Sequence, residues 1–278
     1  MLFAPANSWN FNLSNIETVR PAAGWGASVT PGAGAKGSWV QVFSAAQVST
    51  EIFGLLIFIN NNSTSATTRN ALVDIGIDPA GGTAYSVLIP DLVGGHAAPT
   101  NVGGIYYYFP IYIPKGATVA VRAAGTVATA FNVALRCYGK PRRPDAVICG
   151  TKVSAFGATL ASATGTTVAP GTTAEGAWTQ LGSATAHSIF WWQCGMTCVD
   201  TTMTANAHTM DVAVGDATTK DIVLADALSV FTAAEQSTML PAVIQAYDRT
   251  PAGQLVYGRI QCSGTADSAI SMVAYGLG

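Results

Sequence analysis

An internal repeat constrains the fold of this 278-residue chain more than any other feature. The sequence Gly-Ser-Trp-Val-Gln-Val at residues 37–42 returns as Gly-Ala-Trp-Thr-Gln-Leu at residues 176–181. Further pairs follow at a common offset: Asp74 and Asp211, Pro114 and Pro251, Arg122 and Arg259, and Tyr138 and Tyr275. Because the matches keep one order and their offsets drift by only two positions, they indicate a duplicated structural unit.

The repeat predicts two domains joined by a short linker. We expect the N-terminal domain at residues 1–140 and the C-terminal domain at residues 146–278. The linker, residues 141–145, contains two prolines, which restrict their own backbone and that of the preceding residue and make a semi-rigid spacer. Residues 1–25 have no clear counterpart in the second copy, so they are expected to form an extra strand or an arm that docks on a neighbour.

Each copy consists of short apolar segments that end in turn residues. In the first copy such segments lie at residues 52–59, 71–77 and 85–90. Segments of this length with Asn, Asp, Pro and Gly between them are typical of β-strands. We therefore predict an all-β fold of two tandem, internally duplicated β-sandwiches, each like a jelly roll. The best candidates for helix, residues 222–228 and 233–236, are short.

The composition excludes several classes of function. Charged residues make up 10 % of the chain and the formal net charge is −2, so the chain lacks the basic surface that binds nucleic acid. No apolar segment reaches the roughly 18 residues of a membrane span, and the N-terminus lacks the pattern of a secretory signal, which favours a soluble cytoplasmic product. The scarcity of charge has two explanations: a surface covered by partners, including further copies of the chain, or the ordinary polarity of a small-residue β-protein.

No arrangement of residues predicts an enzyme. The three histidines, His96, His187 and His208, lie outside any metal-binding or nucleophile motif, and no phosphate-binding glycine motif is present. We therefore expect no catalytic residues and no cofactor. Cys194 and Cys198 form a C-x3-C pair, but no second pair accompanies them, so buried free thiols are favoured over a zinc site.

Asp74 and Asp211 occupy the same place in the two copies, each inside an apolar strand. Each could be a calcium ligand or catalytic acid, or a structural group bonded within the fold. The recurrence favours the structural interpretation, so no metal site is predicted. Arg122 and Arg259 recur in the same way, and we hypothesise that each forms an ion pair with the aspartate of its own copy.

Aromatic residues are concentrated in two of the predicted strands. Alternation along a strand places Tyr106 and Tyr108 on one face and Tyr107 on the other. In the pair Trp191–Trp192 one ring is expected to point inward and one outward. Outward aromatic rings suit a subunit interface or a platform for sugar rings, although ordinary packing also explains them. The predicted partner or glycan contacts are Tyr106, Tyr107, Tyr108, Tyr112, Trp191 and Trp192.

Five segments of the first copy form a recognisable set: residues 37–41, 72–81, 88–92, 108–116 and 119–122. This set resembles a group of uncharacterised virion structural proteins of tailed bacteriophages. The second copy keeps only the Trp, the Asp and the Pro-x-Gly turn. The resemblance implies a non-enzymatic component of the virion that is made in the host cytoplasm and has other virion proteins and itself as partners.

Three functions follow as alternatives. The leading one is a tail, fibre or collar appendage that attaches to host surface glycans, which the aromatic strands favour. The second is a head decoration (cement) protein, which the low charge and the lack of a coiled-coil or β-helical shaft favour. The third is a free carbohydrate-binding module.

Overall fold

The computed structural model describes residues 12–14, 26–60, 70–94, 105–139, 149–198, 206–231, 237–264 and 270–278. All regular secondary structure in these residues is β-strand, which confirms the predicted all-β class. The candidate helix at residues 222–228 is wrong, because these residues lie in a strand, Lys220–Phe231. Residues 233–236 lie outside the described residues. No helix in the described part of the chain is long and apolar enough to cross a bilayer.

Ten strands form two sheets among the described residues of the N-terminal half, which lie between residues 12 and 139. They are β1 (Asn12–Ser14), β2 (Ala27–Val29), β3 (Gly32–Ala33), β4 (Val40–Phe43), β5 (Ile52–Asn60), β6 (Ala71–Asp78), β7 (Ser86–Val93), β8 (Ile105–Phe109), β9 (Thr118–Gly125) and β10 (Phe131–Gly139). Sheet I has the order β1-β10-β5-β8, and β2 also pairs with β10. Sheet II has the order β3-β9-β6-β7, and β4 also pairs with β9.

In the part of the C-terminal half that the structure describes, between residues 149 and 278, nine strands form two further sheets. They are β11 (Val153–Phe156), β12 (Thr166–Val168), β13 (Thr179–Gly182), β14 (Ile189–Cys198), β15 (Asn206–Gly215), β16 (Lys220–Phe231), β17 (Ser237–Thr250), β18 (Leu255–Cys262) and β19 (Ile270–Leu277). Sheet III has the order β11-β19-β14-β17, and β12 also pairs with β19. Sheet IV has the order β13-β18-β15-β16.

The two halves have the same strand order. When β1, β3 and β11 are set aside and the other eight strands of each half are numbered along the chain, one sheet has the order 1-8-3-6 and the other 2-7-4-5. This is the order of a jelly roll, a sandwich of two antiparallel sheets, and it confirms the predicted jelly-roll-like sandwiches. The common origin of the two copies and the domain boundaries stay predictions, and the linker, residues 141–145, lies outside the described residues.

Sheet III is buried on both faces. Along β19, Met272 and Ala274 pack into the core of the C-terminal sandwich, whereas Val273 and Tyr275 pack into a core that the N-terminal half shares. Side chains of a strand alternate between the two faces of its sheet, so each face needs its own apolar partner. The N-terminal half provides the second partner, and the two sandwiches are joined through a common core.

The edge strands β7 and β8 of the N-terminal half make this contact. The ring of Tyr107, in β8, meets the ring of Tyr275 edge-on, with 5.5 Å between centroids. The Tyr107 hydroxyl donates a hydrogen bond to the carbonyl of Val93, in β7, and the Tyr275 hydroxyl accepts one from the Val93 N–H, both at 2.8 Å. Burial raises the pKa of both tyrosines, so both hydroxyls stay neutral and keep their hydrogen bonds.

Candidate functional site

A buried carboxylate with two cations lies in sheet II. Asp74, in β6, is directly opposite Arg122, in β9, and only 2 % of Asp74 is exposed. Arg122 Nε donates to Asp74 Oδ2 at 2.9 Å, and Lys36 Nζ donates to Asp74 Oδ1 at 2.6 Å. The hypothesis of an ion pair between Asp74 and Arg122 is therefore confirmed.

Two more residues complete this N-terminal charge cluster, which we define as Lys36, Trp39, Asp74, Asp91 and Arg122. Asp91 has a φ of 53°, and its N–H donates to Asp74 Oδ1 at 3.0 Å. Lys36 Nζ also lies 2.7 Å from Asp91 Oδ1, so one ammonium joins both carboxylates. The guanidinium of Arg122 lies 4.4 Å from the ring centroid of Trp39, a cation–π contact. Two carboxylates and two cations balance the charge.

The C-terminal half repeats the arrangement with one exchange of charge. Asp211 is directly opposite Arg259, whose Nε donates to Asp211 Oδ2 at 2.7 Å, which confirms the second predicted ion pair. The N–H of Asp226, whose φ is 49°, donates to Asp211 Oδ1 at 2.7 Å. Arg259 lies 4.3 Å from the ring centroid of Trp178. Glu175 stands three positions before Trp178, as Lys36 stands three positions before Trp39, and it forms an ion pair with Arg259.

This C-terminal charge cluster, Glu175, Trp178, Asp211, Asp226 and Arg259, has an excess of negative charge. One guanidinium faces three carboxylates, whose nearest oxygens all lie within 4.8 Å of one another. Carboxylate oxygens at this spacing could hold a hard cation such as Ca²⁺. The pKa of Glu175 is raised, first by desolvation and then by its hydrogen bond with Asp211 and the charge of Asp211. In the N-terminal charge cluster the Lys36 ammonium fills the corresponding position.

The sequence interpretation missed Lys36, Asp91, Glu175 and Asp226. The repeat contained a signal for the first pair, because Lys36 and Glu175 each stand three positions before the tryptophan of their own copy. Asp91 and Asp226 are also equivalent, but their offset is slightly shorter than that of Asp74 and Asp211. The sequence did not predict the left-handed backbone conformation of these two aspartates, although aspartate adopts it more readily than most residues.

Three of the six predicted contact aromatics are wrong. The structure buries Tyr107, Trp191 and Trp192, each at most 1 % exposed. Tyr107 lies on the core face of β8, opposite to the face of Tyr106 and Tyr108, and this separation agrees with the predicted alternation. Trp192 packs into the C-terminal core and Trp191 into the shared core. Neither tryptophan points outward, because the N-terminal half covers the outer face of sheet III.

The other three aromatics lie on or near sheet I. Tyr106 is 51 % exposed, and its ring centroid is 4.5 Å from that of Phe58. Tyr108 is half-buried beside Tyr138 and Trp191. The Tyr112 hydroxyl donates to Glu51 Oε1 at 2.8 Å. These three stay predictions as partner or glycan contacts.

Histidines and cysteines are dispersed. His208 is buried and His187 is half-buried, with a pKa lowered by burial and by Lys152, whereas His96 lies outside the described residues. The Cys194 thiol is free and buried, which confirms the prediction for this residue. Burial raises the pKa of Cys194 to about 12, so the thiol is unreactive at neutral pH.

No family model and no curated protein matches the chain. Among solved structures the chain is similar to PNGF-II, with a TM-score of 0.38 and 9 % identity over 96 % of this chain; it spans only 65 % of that structure. It is also similar to the CBM22-1–CBM22-2 tandem domain of Paenibacillus barcinonensis Xyn10C, with a TM-score of 0.24 and 11 % identity over 85 % and 80 % of the two chains. A fucolectin from striped bass (Morone saxatilis) serum gives a TM-score of 0.21 and 9 % identity over 86 % and 82 %. These TM-scores are too low to carry an argument about function.

Proposed function

We propose that the protein is a non-enzymatic structural component of a tailed-phage virion, situated in a tail, fibre or collar appendage. The observation that carries the proposal is the pair of jelly-roll sandwiches joined through one core. Jelly rolls occur in viral capsid and lectin domains, and a fold alone does not fix a function. The sequence resemblance of the first copy to virion proteins favours the particle over a free lectin.

The distribution of side chains also supports a structural role. Buried aspartates and tyrosines of the described residues are engaged in the fold: Asp74 and Asp211 hold arginines, and Tyr107 and Tyr275 bond the backbone at the shared core. Each ion pair joins two neighbouring strands, β6 and β9 in sheet II and β15 and β18 in sheet IV.

Immunogold electron microscopy of intact phage particles, with antibody against the purified protein, tests the proposal. We expect label on the tail or its appendages. Label over the head would instead make the chain a decoration protein, the alternative position in the particle. If washed particles carry no label and contain no copy of the chain by mass spectrometry, the virion assignment is wrong.

Glycan attachment is a second candidate, favoured by the exposed Tyr106 ring beside Phe58. A glycan array probed with the purified protein tests it, with Tyr106→Ala as the variant and Leu160→Ala as the control. Leu160 is also an exposed apolar residue, at 42 %. We expect any binding to be lost in Tyr106→Ala and kept in Leu160→Ala. Binding that survives both changes would place the glycan site elsewhere.

A further inference from the structure

Two equivalent residues on edge strands differ sharply in exposure. Val93, in β7, pairs with Leu72, and Leu228, in β16, pairs with Thr209. Leu72 and Thr209 each stand two positions before the paired aspartate of their own copy, so the two pairs are equivalent under the repeat. Val93 is 1 % exposed, whereas Leu228 is 60 % exposed. A large exposed apolar side chain at a position that is buried in the other half suggests a missing partner.

The cover over Val93 comes from the outer face of sheet III. The Tyr275 hydroxyl accepts a hydrogen bond from the Val93 N–H at 2.8 Å and donates one to the carbonyl of Asp91 at 3.0 Å. Gly195 lies directly above, because a Cβ placed on it would come within 3.1 Å of Val93 Cβ. An apolar contact and two hydrogen bonds to the edge strand therefore define how one sandwich docks on the next.

The residue equivalent to Tyr275 is Tyr138, on the outer face of sheet I. Tyr138 is opposite Gly54, as Tyr275 is opposite Gln193. The same face carries the exposed Tyr106 and the half-buried Phe58. The chain thus has a second outer face that carries the equivalent tyrosine, on sheet I, and a second edge strand, with an exposed leucine, on sheet IV. Beside Tyr138 the outer face of sheet I differs from that of sheet III, because Leu56 and Arg136 stand at the places of Gly195 and Val273.

We propose that a second copy of this chain docks head to tail, with the same two sheets facing each other as at the internal interface but with Leu56 in place of Gly195 against the exposed leucine. The outer face of sheet I of one copy covers β16 of the next. The Tyr138 hydroxyl takes the place of Tyr275 and bonds the N–H of Leu228 and the carbonyl of Asp226. Because the two surfaces are different, the contact is heterologous and propagates into a closed ring or an open filament.

Light scattering coupled to size-exclusion chromatography tests this inference on the full chain. The wild type is expected to have a mass that is a multiple of 28.5 kDa and that increases with concentration. Leu228→Asp places a charge at the centre of the contact and should give a monomer. Ile222→Asp is the matched control, because Ile222 lies on the same strand at 47 % exposure, and its equivalent, Val87, is itself 42 % exposed. The control should assemble like the wild type.

Tyr138→Phe removes only the hydroxyl, so the dissociation constant should rise roughly 2- to 10-fold. The wild-type mass separates a head-to-tail contact, which continues beyond the dimer, from a two-fold symmetric one, which stops at the dimer. Mixing tests whether the two surfaces meet each other. Leu228→Asp and Tyr138→Ala, each monomeric alone, should form a one-to-one dimer when combined, because each supplies the surface that the other lacks. Thermal melting followed by circular dichroism verifies that each variant is folded.

A wild type that stays monomeric at every concentration overturns the inference. Assembly that Leu228→Asp and Tyr138→Phe leave unchanged overturns it as well, as does a mixture that stays monomeric. These measurements use purified protein alone, so their outcome is independent of the position of the chain in a particle.

Discussion

The two charge clusters have the same arrangement but carry opposite charges at one position. In sheet II and in sheet IV, an aspartate lies directly opposite an arginine on the neighbouring strand, and a tryptophan ring lies over that arginine. Lys36 balances the N-terminal charge cluster, whereas Glu175 makes the C-terminal one acidic. Both sandwiches thus keep the Asp–Arg pair with its aromatic cover, while the third charged group differs between them.

The sharpest test of this difference is removal of each aspartate. Asp74→Ala leaves Lys36 and Arg122 without their shared carboxylate, and we expect the free energy of unfolding to fall by about 3–5 kcal/mol. Asp211→Ala should cost less, because Arg259 keeps Glu175 and a carboxylate repulsion disappears. Urea unfolding of both variants measures the difference. Equal losses would mean that the clusters are energetically alike.

Exchange of the third charged group tests the comparison directly. Lys36→Glu adds a third anion beside Asp74 and Asp91, and should destabilise the protein by about 2–3 kcal/mol. Glu175→Lys copies the N-terminal arrangement and should change stability by no more than about 1 kcal/mol, in the favourable direction. Thermal melts of the two variants decide the matter. A destabilising Glu175→Lys would show that the clusters are not interchangeable.

The turns after β6 and β15 provide a smaller contrast. Asp78, only 6 % exposed, accepts hydrogen bonds from the N–H groups of Ala80 and Ala84, both at 2.9 Å. Asp216 accepts similar bonds from Thr218 and Thr219, but in an exposed turn. Asp78→Ala should cost about 1–2 kcal/mol, and Asp216→Ala clearly less. Urea unfolding that ranks them in the reverse order would contradict this explanation.

The smallest expected effect is a dependence on pH in the C-terminal charge cluster. The pKa of Glu175 is raised in the folded protein, so the stability linked to its protonation is present below the unfolded pKa and is lost as the pH rises through the folded value. Glu175→Gln should therefore gain stability relative to the wild type at neutral pH, and the gain should vanish near pH 4. Melting temperatures across this range measure it. A gain that persists in acid would exclude Glu175 as its source.

Several features could be predicted from sequence. The offsets of the repeat identified Asp74 with Asp211 and Arg122 with Arg259, and both ion pairs are present. The alternation in β8 correctly separated Tyr106 from Tyr107. The prediction for Trp191 and Trp192 was wrong, because alternation shows which residues share a face but not what lies against that face. The helix prediction for residues 222–228 was wrong for a related reason, because the pairing of this segment with β15 favours a strand over a helix.

Local chemistry explains what the sequence by itself determined. Apolar alternation and turn residues act over a few neighbours, so the strands, the all-β class and the paired positions of the repeat follow from the chain alone. The tertiary structure decided the burial of both faces of sheet III and the placement of Lys36 and Glu175 beside distant carboxylates. It also decided the contrast between Val93 and Leu228. Each of these depends on which surface covers another, and a covering surface comes from residues far away in the sequence.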